Sequence, residues 1–541
     1  MSSDHLVHIE DLRIEGRRGR EWSPIIKGVD LTLERGKVLG LVGESGAGKS
    51  TMGLSAMGYV RPGCRISGGR ITFDGTDLTR ASEPVLRDLW GRRIAYVAQS
   101  AAASFNPAHR ILRQHCEAPQ DHGTDKTLDP RKDAVDLYRR MRLPDPERIG
   151  ERFPHQVSGG QLQRMMTAMA MACRPDLIIF DEPTTALDVT TQIEVLASIR
   201  RIVKEFGTAA IYITHDLAVV AQMADTIKVM RHGETVEEGP VHQMLHAPQQ
   251  DYTKSLWSVR ALKADQVASG PDAVPRIRIS NVTAAYGAVK VLDNVSLDVP
   301  AGRTTAIVGE SGSGKSTLAR VVCGLLPPSD GVVEIDGKTL APDYRSRSKE
   351  GLRSVQLIYQ MADTALNPRK TVRELIGRPA ALYLGLKGAK LDARIRELMK
   401  MVDLDPDRFM QSRPGDLSGG QKQRVGLARA LAAEPSVIIC DEVTSALDQI
   451  VAVGVLKLLA DIQKKLGLTY IFITHDFEVV EAIAHEVAVM QRGEIVAQGS
   501  KEVVLNEPLH PYVAELLRAV PQRDENWLSR VTETRLASIN E

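Results

Sequence analysis

Short apolar runs alternate with longer amphipathic stretches along this chain, and the runs occur as matched pairs. Their lengths and periods predict buried strands for the runs and helices for the stretches between them. The pairs are 38–42 with 304–308, 94–98 with 355–359, 177–180 with 437–440, and 211–214 with 471–474. Strands that alternate with helices predict an α/β core with a mostly parallel sheet, formed once in each half of the chain.

The length of 541 residues is too great for one hydrophobic core, so two domains are expected. We place a first domain over 1–262, a linker over 263–275 and a second domain with a C-terminal tail over 276–541. The linker is short and rich in small and polar residues, which predicts flexibility. The segments 80–170 and 340–430 are expected to be mainly helical. The tail after Pro521 is polar and charged, and we expect it to be partly disordered.

Charge and hydropathy exclude several classes of protein. The 69 Lys and Arg residues nearly balance the 68 Asp and Glu residues, so the chain lacks the basic excess typical of nucleic-acid binders. No stretch approaches the length of apolar sequence that spans a bilayer. The first residues lack the basic and then apolar pattern of a signal peptide, and we expect a cytoplasmic location.

The five cysteines are scattered and form no Cys-x-x-Cys pair, which argues against a disulfide framework or a zinc ribbon. His109, His115 and Cys116 lie close in sequence, but their spacing matches no recognised set of metal ligands. We interpret them as surface and core residues of a polar segment.

A Gly-rich segment follows the first apolar run of each half, and a helix-like run over 50–57 or 316–326 follows it. This order of strand, loop and helix is the context of a phosphate-binding P-loop, in which backbone N–H groups and the helix N-terminus face phosphate oxygens. Lys49 and Lys315 are expected to reach the β- and γ-phosphates, and Ser50 and Ser316 to bind Mg²⁺. The two loops consist of Gly43, Glu44, Ser45, Gly46, Ala47, Gly48, Lys49, Ser50 and Thr51, and of Gly309, Glu310, Ser311, Gly312, Ser313, Gly314, Lys315, Ser316 and Thr317.

Acidic residues and a histidine end two further strands of each half. A carboxylate at the end of a strand, Asp181 or Asp441, can hold a metal ion and its water. The next residue, Glu182 or Glu442, can polarise an attacking water. Histidines after the neighbouring strand can contact the γ-phosphate and orient that water; they are His215 and His475.

A second anion-binding motif precedes a long helical run in each half. Serine and two glycines at a helix start expose N–H groups to an anion. The motif consists of Ser158, Gly159, Gly160 and Gln161, and of Ser418, Gly419, Gly420 and Gln421. The second set of motifs follows the first roughly 260 residues later, a period far longer than that of solenoid repeats. The chain therefore contains a duplicated nucleotide-hydrolysing unit.

Together these motifs resemble the ATP-binding cassette of ABC transporters, and the resemblance covers nearly the whole chain. It implies two P-loop nucleotide-binding domains, each with a RecA-like core, a helical subdomain and an antiparallel β subdomain. It also implies ATP and Mg²⁺ as ligands, and it places Gln99 and Gln360 at the metal or its water. The D-loops are 185–188 and 445–448.

In this family two cassettes form a head-to-tail sandwich with ATP between the P-loop of one and the Ser-Gly-Gly signature of the other. The resemblance therefore implies an intramolecular cassette dimer. Its first site combines Lys49, Asp181, Glu182 and His215 with 418–420. Its second site combines Lys315, Asp441, Glu442 and His475 with 158–160.

A narrower resemblance is to the ATPase subunits of dipeptide, oligopeptide and nickel importers. It is carried by Asn-Pro at 106–107 and 367–368, by the run 173–192, and by the ending 510–521. It implies an ATPase that drives import of peptides or related small solutes at the cytoplasmic face of the membrane. It also implies two membrane permease subunits and an extracytoplasmic solute-binding protein as partners, and no nucleic acid.

The chain departs from this pattern at a few positions. Val157 and Val443 replace the usual Leu and Pro. Many relatives carry a Cys-rich segment after the first cassette, but no cysteine lies between Cys173 and Cys323, so no iron–sulfur cluster is predicted. Tyr286 occupies the position at which the family stacks an aromatic ring on adenine. The first half has no aromatic residue there, and Trp22 is a candidate substitute.

Other functions stay open at this point. One alternative is a tandem cassette ATPase of another transporter, such as an exporter or a sugar importer, although tandem sugar importers typically have one degenerate site, which this chain does not show. Another is a soluble ATPase that acts on ribosomes or nucleic acid, although such proteins usually have a long charged linker between the cassettes.

Overall fold

A computed structural model describes residues 5–122, 129–185, 187–257, 275–360, 362–445, 447–506 and 510–540. It divides the chain into two compact units. The first consists of Met1–Trp257 with Pro521–Glu541, and the second of Ser258–Val520. The expected linker lies outside the described residues except for Pro275.

The first unit contains a four-stranded antiparallel sheet in the order β2-β1-β4-β5 and a six-stranded sheet in the order β10-β9-β3-β8-β7-β6. In the larger sheet only the β9–β10 pair is antiparallel. Its strands are β1 (His5–Arg18), β2 (Glu21–Glu34), β3 (Val38–Val42), β4 (Cys64–Phe73), β5 (Thr76–Asp77), β6 (Ile94–Val97), β7 (Leu177–Asp181), β8 (Ala209–Thr214), β9 (Thr226–Arg231) and β10 (Glu234–Pro240). Its helices before residue 258 are α1 (Lys49–Ser55), α2 (Glu83–Leu89), α3 (Ala101–Ser104), α4 (Ile111–His115), α5 (Glu117–His122), α6 (Pro130–Arg140), α7 (Gly159–Ala170), α8 (Val189–Phe206), α9 (Leu217–Val220), α10 (Val241–His246) and α11 (Asp251–Ser255).

The second unit repeats this architecture, with sheets in the orders β12-β11-β14-β15 and β16-β17-β18-β13-β19-β20. Its strands are β11 (Pro275–Tyr286), β12 (Val289–Pro300), β13 (Thr304–Val308), β14 (Asp330–Ile335), β15 (Lys338–Thr339), β16 (Val355–Ile358), β17 (Val437–Asp441), β18 (Thr469–Ile473), β19 (Glu486–Gln491) and β20 (Glu494–Ser500). Its helices are α12 (Lys315–Val322), α13 (Lys349–Ser354), α14 (Ala362–Ala365), α15 (Val372–Leu384), α16 (Gly388–Met401), α17 (Pro406–Phe409), α18 (Gly419–Leu431), α19 (Gln449–Leu466), α20 (Phe477–Ile483), α21 (Lys501–Asn506) and α22 (Pro511–Arg518).

The predicted core strands and helices are present, and only their ends differ. The helices after the Gly-rich loops are α1 and α12, which end earlier than expected, at Ser55 and Val322. In both units the strand that precedes the P-loop lies at the centre of the large sheet. β3 lies between β8 and β9, and β13 lies between β18 and β19. Because parallel strands end at one edge, this order brings the loops that follow β3, β7 and β8 together.

In the sequence, the helical subdomain of each unit lies between two strands that are neighbours in the large sheet, β6 and β7 in the first unit and β16 and β17 in the second. It runs from α3 to α7 in the first unit and from α14 to α18 in the second. A core of apolar residues from α15, α16 and α18 continues into the sheet residues of the second unit. Each unit therefore combines an α/β core, a helical subdomain and an antiparallel sheet, as the resemblance to ATP-binding cassettes implied.

The C-terminal tail differs from the expectation of partial disorder. Residues Trp527–Asn540 form a further helix, α23, which packs against α8 of the first unit. Trp527 and Leu528 are buried there. The tail therefore belongs to the first compact unit, although it follows the second cassette in sequence. None of the helices within the described ranges is both long and apolar enough to cross a membrane.

Candidate ATP-hydrolysis sites

The Gly-rich loop of each unit passes so close to a neighbouring strand that its first residue has no room for a side chain. A Cβ atom on Gly43 would lie 2.1 Å from the carbonyl oxygen of Met230, and one on Gly309 would lie 2.2 Å from that of Met490. Only glycine fits there. The close approach fixes where the loop turns from strand into helix, and thus where its N–H groups point.

The P-loop lysine of each unit is buried and folds back over its own loop. Lys49 Nζ donates to the carbonyl oxygens of Gly43 (2.7 Å) and Glu44 (2.9 Å). Lys315 makes the same two contacts at 2.8 and 2.7 Å. An ammonium group held against two carbonyls can exchange them for phosphate oxygens, which carry full negative charge.

The serine that begins each P-loop helix is joined to the carboxylate that ends the neighbouring strand. Ser50 Oγ donates to Asp181 Oδ1 at 2.8 Å, and Ser316 Oγ donates to Asp441 Oδ1 at 3.0 Å. A hydroxyl and a carboxylate are hard oxygen ligands of the kind that Mg²⁺ prefers. The donor set at this point therefore fits the expected ion.

The glutamate that follows Asp181 is held in an uncommon backbone conformation. Glu182 has φ of 48° and its N–H donates to the Ile213 carbonyl at 2.9 Å. Its counterpart Glu442 has φ of 49° and donates to Ile473 at 2.9 Å. A non-glycine residue in the left-handed region carries strain of order 1–3 kcal/mol, which the surrounding structure must sustain.

The carboxylate of Glu182 contacts Gln99 and His215, two side chains that the sequence also assigned to this site. Gln99 Nε2 donates to its Oε2 at 3.0 Å, and His215 Nδ1 lies 3.5 Å from its Oε1. Burial alone would raise the pKa of Glu182, but the adjacent His215 and the charge of Lys49 outweigh burial and lower it. Burial alone would lower the pKa of His215, and Glu182 outweighs that effect and raises it.

The second unit repeats this cluster. Gln360 Nε2 donates to Glu442 Oε2 at 2.6 Å, and His475 Nδ1 lies 3.4 Å from Glu442 Oε1. The pKa directions are the same as in the first unit: burial opposes the shift in both residues, and mutual attraction lowers the pKa of Glu442 and raises that of His475. Each unit therefore brings together, by itself, the Lys, Ser, Asp, Glu, Gln and His that the sequence assigned to it.

The Ser-Gly-Gly-Gln motif begins α7 and α18. Ser158 and Gln161 cap each other across the first turn, with Gln161 N–H donating to Ser158 Oγ (3.3 Å) and Ser158 N–H to Gln161 Oε1 (3.1 Å). A Cβ atom on Gly160 would lie 2.1 Å from Thr191 Cγ2 of α8, whereas one on Gly159 would meet only Leu187, at 3.7 Å. The second glycine therefore serves helix packing, and the first leaves the backbone accessible.

Two residues that sequence reasoning did not assign also hold the P-loops. The Glu44 N–H donates to the hydroxyl of Tyr252 at 3.1 Å, and the Glu310 N–H donates to that of Tyr512 at 3.1 Å. Both tyrosines lie in short helices after the last strand of their unit, at equivalent positions of the repeat. Their equivalence in the duplicated sequence was the signal that could have revealed them.

The two metal-binding carboxylates differ in their surroundings. Tyr96 of β6 donates its hydroxyl proton to Asp181 Oδ2 at 2.7 Å. Leu357 occupies the equivalent position of β16, so Asp441 lacks this contact. Burial and the negative charge of Glu442 raise the pKa of Asp441.

Comparison with known proteins agrees with this geometry. The model of the ABC transporter family matches residues 26–185 and 292–445. The chain belongs to the ABC transporter family. A second model, the oligopeptide/dipeptide transporter C-terminal region, matches residues 496–540. This ABC protein is thus an ATP-binding subunit whose ATPase activity is coupled to transport.

Individual relatives of this ABC protein resemble it over nearly its full length. The glutathione import ATP-binding proteins GsiA of Shigella boydii serotype 4 (strain Sb227) and Escherichia coli (strain K12) are each 35% identical to it over 567 residues. The alignments cover 96% of this chain and 90% of each relative. A solved structure, that of cbiO1 from Clostridium perfringens, covers 43% of this chain and 91% of its own at 30% identity and a TM-score of 0.39.

The two cassettes differ at the position expected to stack on adenine. Tyr286 ends β11 and is 43% exposed, and its hydroxyl accepts from Arg320 Nη1 at 2.8 Å. In the first cassette the β1–β2 hairpin is longer. Trp22 pairs with Arg17 in this longer part, and the Arg65 guanidinium lies 4.2 Å from the centroid of its ring. The Trp22 ring thus stacks on a cation, whereas Tyr286 is bonded to one through its hydroxyl.

Proposed function

We propose that this ABC protein hydrolyses ATP to drive import of peptides or related small solutes through two partner permeases. An extracytoplasmic binding protein would deliver the solute, and this chain would lie on the cytoplasmic face of the membrane. The observation that carries the proposal is the 35% identity, over 96% of the chain, to ATP-binding proteins of glutathione import. The match of the C-terminal region to oligopeptide and dipeptide transporters supports the same solute class.

We infer two composite ATP sites. The first would combine the P-loop, Asp181, Glu182 and His215 of the first cassette with the signature 418–420. The second would combine the P-loop, Asp441, Glu442 and His475 of the second cassette with the signature 158–160. The support is that each cassette contains a full set of these residues, with the carboxylate, amide and imidazole already in contact.

The residues of one cassette divide the work of hydrolysis. The loop N–H groups and Lys49 bind the phosphates, and the close packing of Gly43 keeps that loop in position. Ser50 and Asp181 would hold Mg²⁺, with Gln99 at its water, and the ion would neutralise developing charge on the phosphates. Glu182 accepts a proton from the attacking water, and its lowered pKa keeps it deprotonated for that role.

His215 orients the reacting groups from the next strand. Its contact with Glu182 would hold the carboxylate towards the γ-phosphate, and its other ring nitrogen would bind that phosphate. Contacts that depend on the γ-phosphate are lost when it leaves, and such losses commonly switch nucleotide-driven proteins between states. Cleavage would thereby release the two cassettes from each other and move the permeases.

The test is ATP-dependent uptake by the assembled transporter. The full chain is purified from membranes with the permeases that accompany it, reconstituted in vesicles with its binding protein, and supplied with labelled dipeptides, tripeptides and glutathione. We expect uptake of at least one of these solutes, and its loss in the Lys49→Ala, Lys315→Ala double variant. The matched control is Lys204→Ala, which changes a lysine at the end of α8, remote from both P-loops in sequence. Co-purification with ribosomes in place of permeases would overturn the proposal, and so would uptake that survives the double substitution.

A further inference from the structure

The C-terminal tail docks on the first cassette through polar and apolar contacts. The side chain of Gln222, itself buried, donates to the Asp524 carbonyl at 2.7 Å and accepts from the Leu528 N–H at 3.0 Å. Trp527 and Leu528 are 1% and 0% exposed. Arg535 donates to the Thr190 carbonyl at 3.3 Å, at the start of α8. The tail is thus held along its length by the first unit.

Beside this docked segment, α10 presents two histidines one turn apart. His242 and His246 lie on the same face, with ring centroids 4.7 Å apart. Glu525 of the tail meets them, with its Oε1 3.0 Å from His242 Nδ1. One ligand atom from each of the three side chains lies within 4.8 Å of the others. Over the described ranges of the chain, no other trio of His, Cys, Asp or Glu meets this criterion.

Two imidazoles and one carboxylate form a ligand set suited to Zn²⁺. Bond lengths of 2.0–2.2 Å in a tetrahedral site place ligand atoms about 3.4 Å apart, and the three ligand atoms here lie within 4.8 Å of one another, with His242 Nδ1 and Glu525 Oε1 at 3.0 Å. The side chains of His242 and Glu525 are 77% and 39% exposed, so small rotations are unhindered and a water can take the fourth position.

The neighbouring acid, Asp524, forms its own contacts within the tail. The Asp524 carboxylate accepts from the Asn526 N–H at 2.9 Å and forms an ion pair with Arg530. Those contacts fix the turn that precedes α23 and direct Glu525 towards α10. The geometry therefore supplies one carboxylate from the tail and two imidazoles from the cassette.

We propose that His242, His246 and Glu525 bind a divalent transition-metal ion, with Zn²⁺ as the best match, and that the ion fastens the C-terminal tail to the first cassette. The site lies outside both ATP sites and uses none of their residues. Because one ligand comes from the tail and two from α10, metal binding stabilises the docked arrangement over any arrangement in which the tail is released.

The experiment is calorimetric titration of ZnCl₂ into the full chain, untagged, stripped of metal by a chelator and kept in excess Mg²⁺ to occupy oxygen-ligand sites. Wild type is expected to bind one Zn²⁺ ion with a higher affinity than any further Zn²⁺ ion. His246→Ala and Glu525→Gln are each expected to weaken that binding by at least the roughly 10- to 100-fold that loss of an outer-shell partner costs. The matched control is His8→Ala, which removes a histidine 3.1 Å from another carboxylate, Glu10, on the same unit.

A second readout separates this site from zinc bound elsewhere. Zinc should slow hydrogen exchange of amides 527–535 in wild type and in His8→Ala, and should not do so in Glu525→Gln. Circular dichroism at equal concentrations checks that each variant is folded. The proposal is overturned if wild type and His246→Ala titrate identically, if wild type binds no Zn²⁺, or if bound Zn²⁺ leaves the exchange of 527–535 unchanged.

Discussion

His115 provides a quantitative test of the packing in the first helical subdomain. The side chain is 1% exposed, lies edge-on to the Tyr138 ring with centroids 5.2 Å apart, and neither ring nitrogen has a hydrogen-bond partner. Burial, reinforced by the positive charge of Arg174, lowers its pKa from 6.5 to about 3. Between about pH 3 and pH 6.5 the folded protein therefore keeps this imidazole neutral, whereas an unfolded chain would protonate it.

The sign of the pH effect follows from these two values. Below pH 6.5 the unfolded state binds a proton at His115 that the folded state does not, so stability falls as the pH falls. With pKa values of about 3 and 6.5, the loss at pH 5 relative to neutral pH is about 2 kcal/mol, or roughly 30-fold in the opening equilibrium. Above pH 6.5 this loss of stability at His115 is absent.

The assay is hydrogen exchange of α6 amides in wild type and His115→Leu, at pH 7.5 and pH 5. Leucine fills the apolar site and cannot titrate, so protection in the variant relative to wild type should rise by roughly 30-fold between the two pH values. Groups common to both proteins cancel in this comparison. His155→Leu, at an exposed position, should show no such change. An equal difference between variant and wild type at both pH values would refute the buried neutral His115.

Substitutions at three further positions test the ATP sites. Gly309→Ala places a Cβ atom 2.2 Å from the Met490 carbonyl oxygen and should abolish ATP binding at the second P-loop, measured by photolabelling and peptide mapping. Tyr286→Ala should weaken nucleotide binding at that site by about 1–3 kcal/mol, the value of stacking a base on an aromatic ring, while Tyr286→Phe should retain it; equal affinities would contradict the stacking role. Tyr252→Phe removes the hydroxyl that accepts from Glu44 and should weaken binding at the first site by about 1 kcal/mol in equilibrium titrations, whereas an unchanged affinity would show that the contact does not position the loop.

Local pattern was sufficient for the elements that carry the ATP sites. The runs that became β3 and β7 are apolar and short, and glycines mark the turn that follows β3, so strand, loop and helix could be assigned without tertiary information. The spacing of the duplicated motifs also placed Asp181, Glu182 and His215 at strand ends. The left-handed backbone of Glu182 could not be predicted, because it depends on the bond of its N–H to the neighbouring strand.

Contacts between distant parts of the chain account for what sequence reasoning missed. The tail is polar overall, and its helix is stabilised by two buried side chains and by Gln222, which is far away in sequence. The Tyr252 hydroxyl reaches Glu44 across the whole first cassette. Glu525 likewise contacts His242, a residue far from it in sequence. The amino-acid composition of a short stretch of sequence does not reveal contact partners that lie far away in the chain.

We infer that one chain carries two complete ATP-hydrolysis sites. Steady-state ATPase rates of the assembled transporter for wild type, Glu182→Gln, Glu442→Gln and the double variant test this inference. Loss of a catalytic base costs roughly 10²- to 10⁴-fold at its own site, so each single variant should fall to about half of the wild-type rate or lower, and the double variant should be nearly inactive. A single variant that keeps the full wild-type rate would contradict the claim.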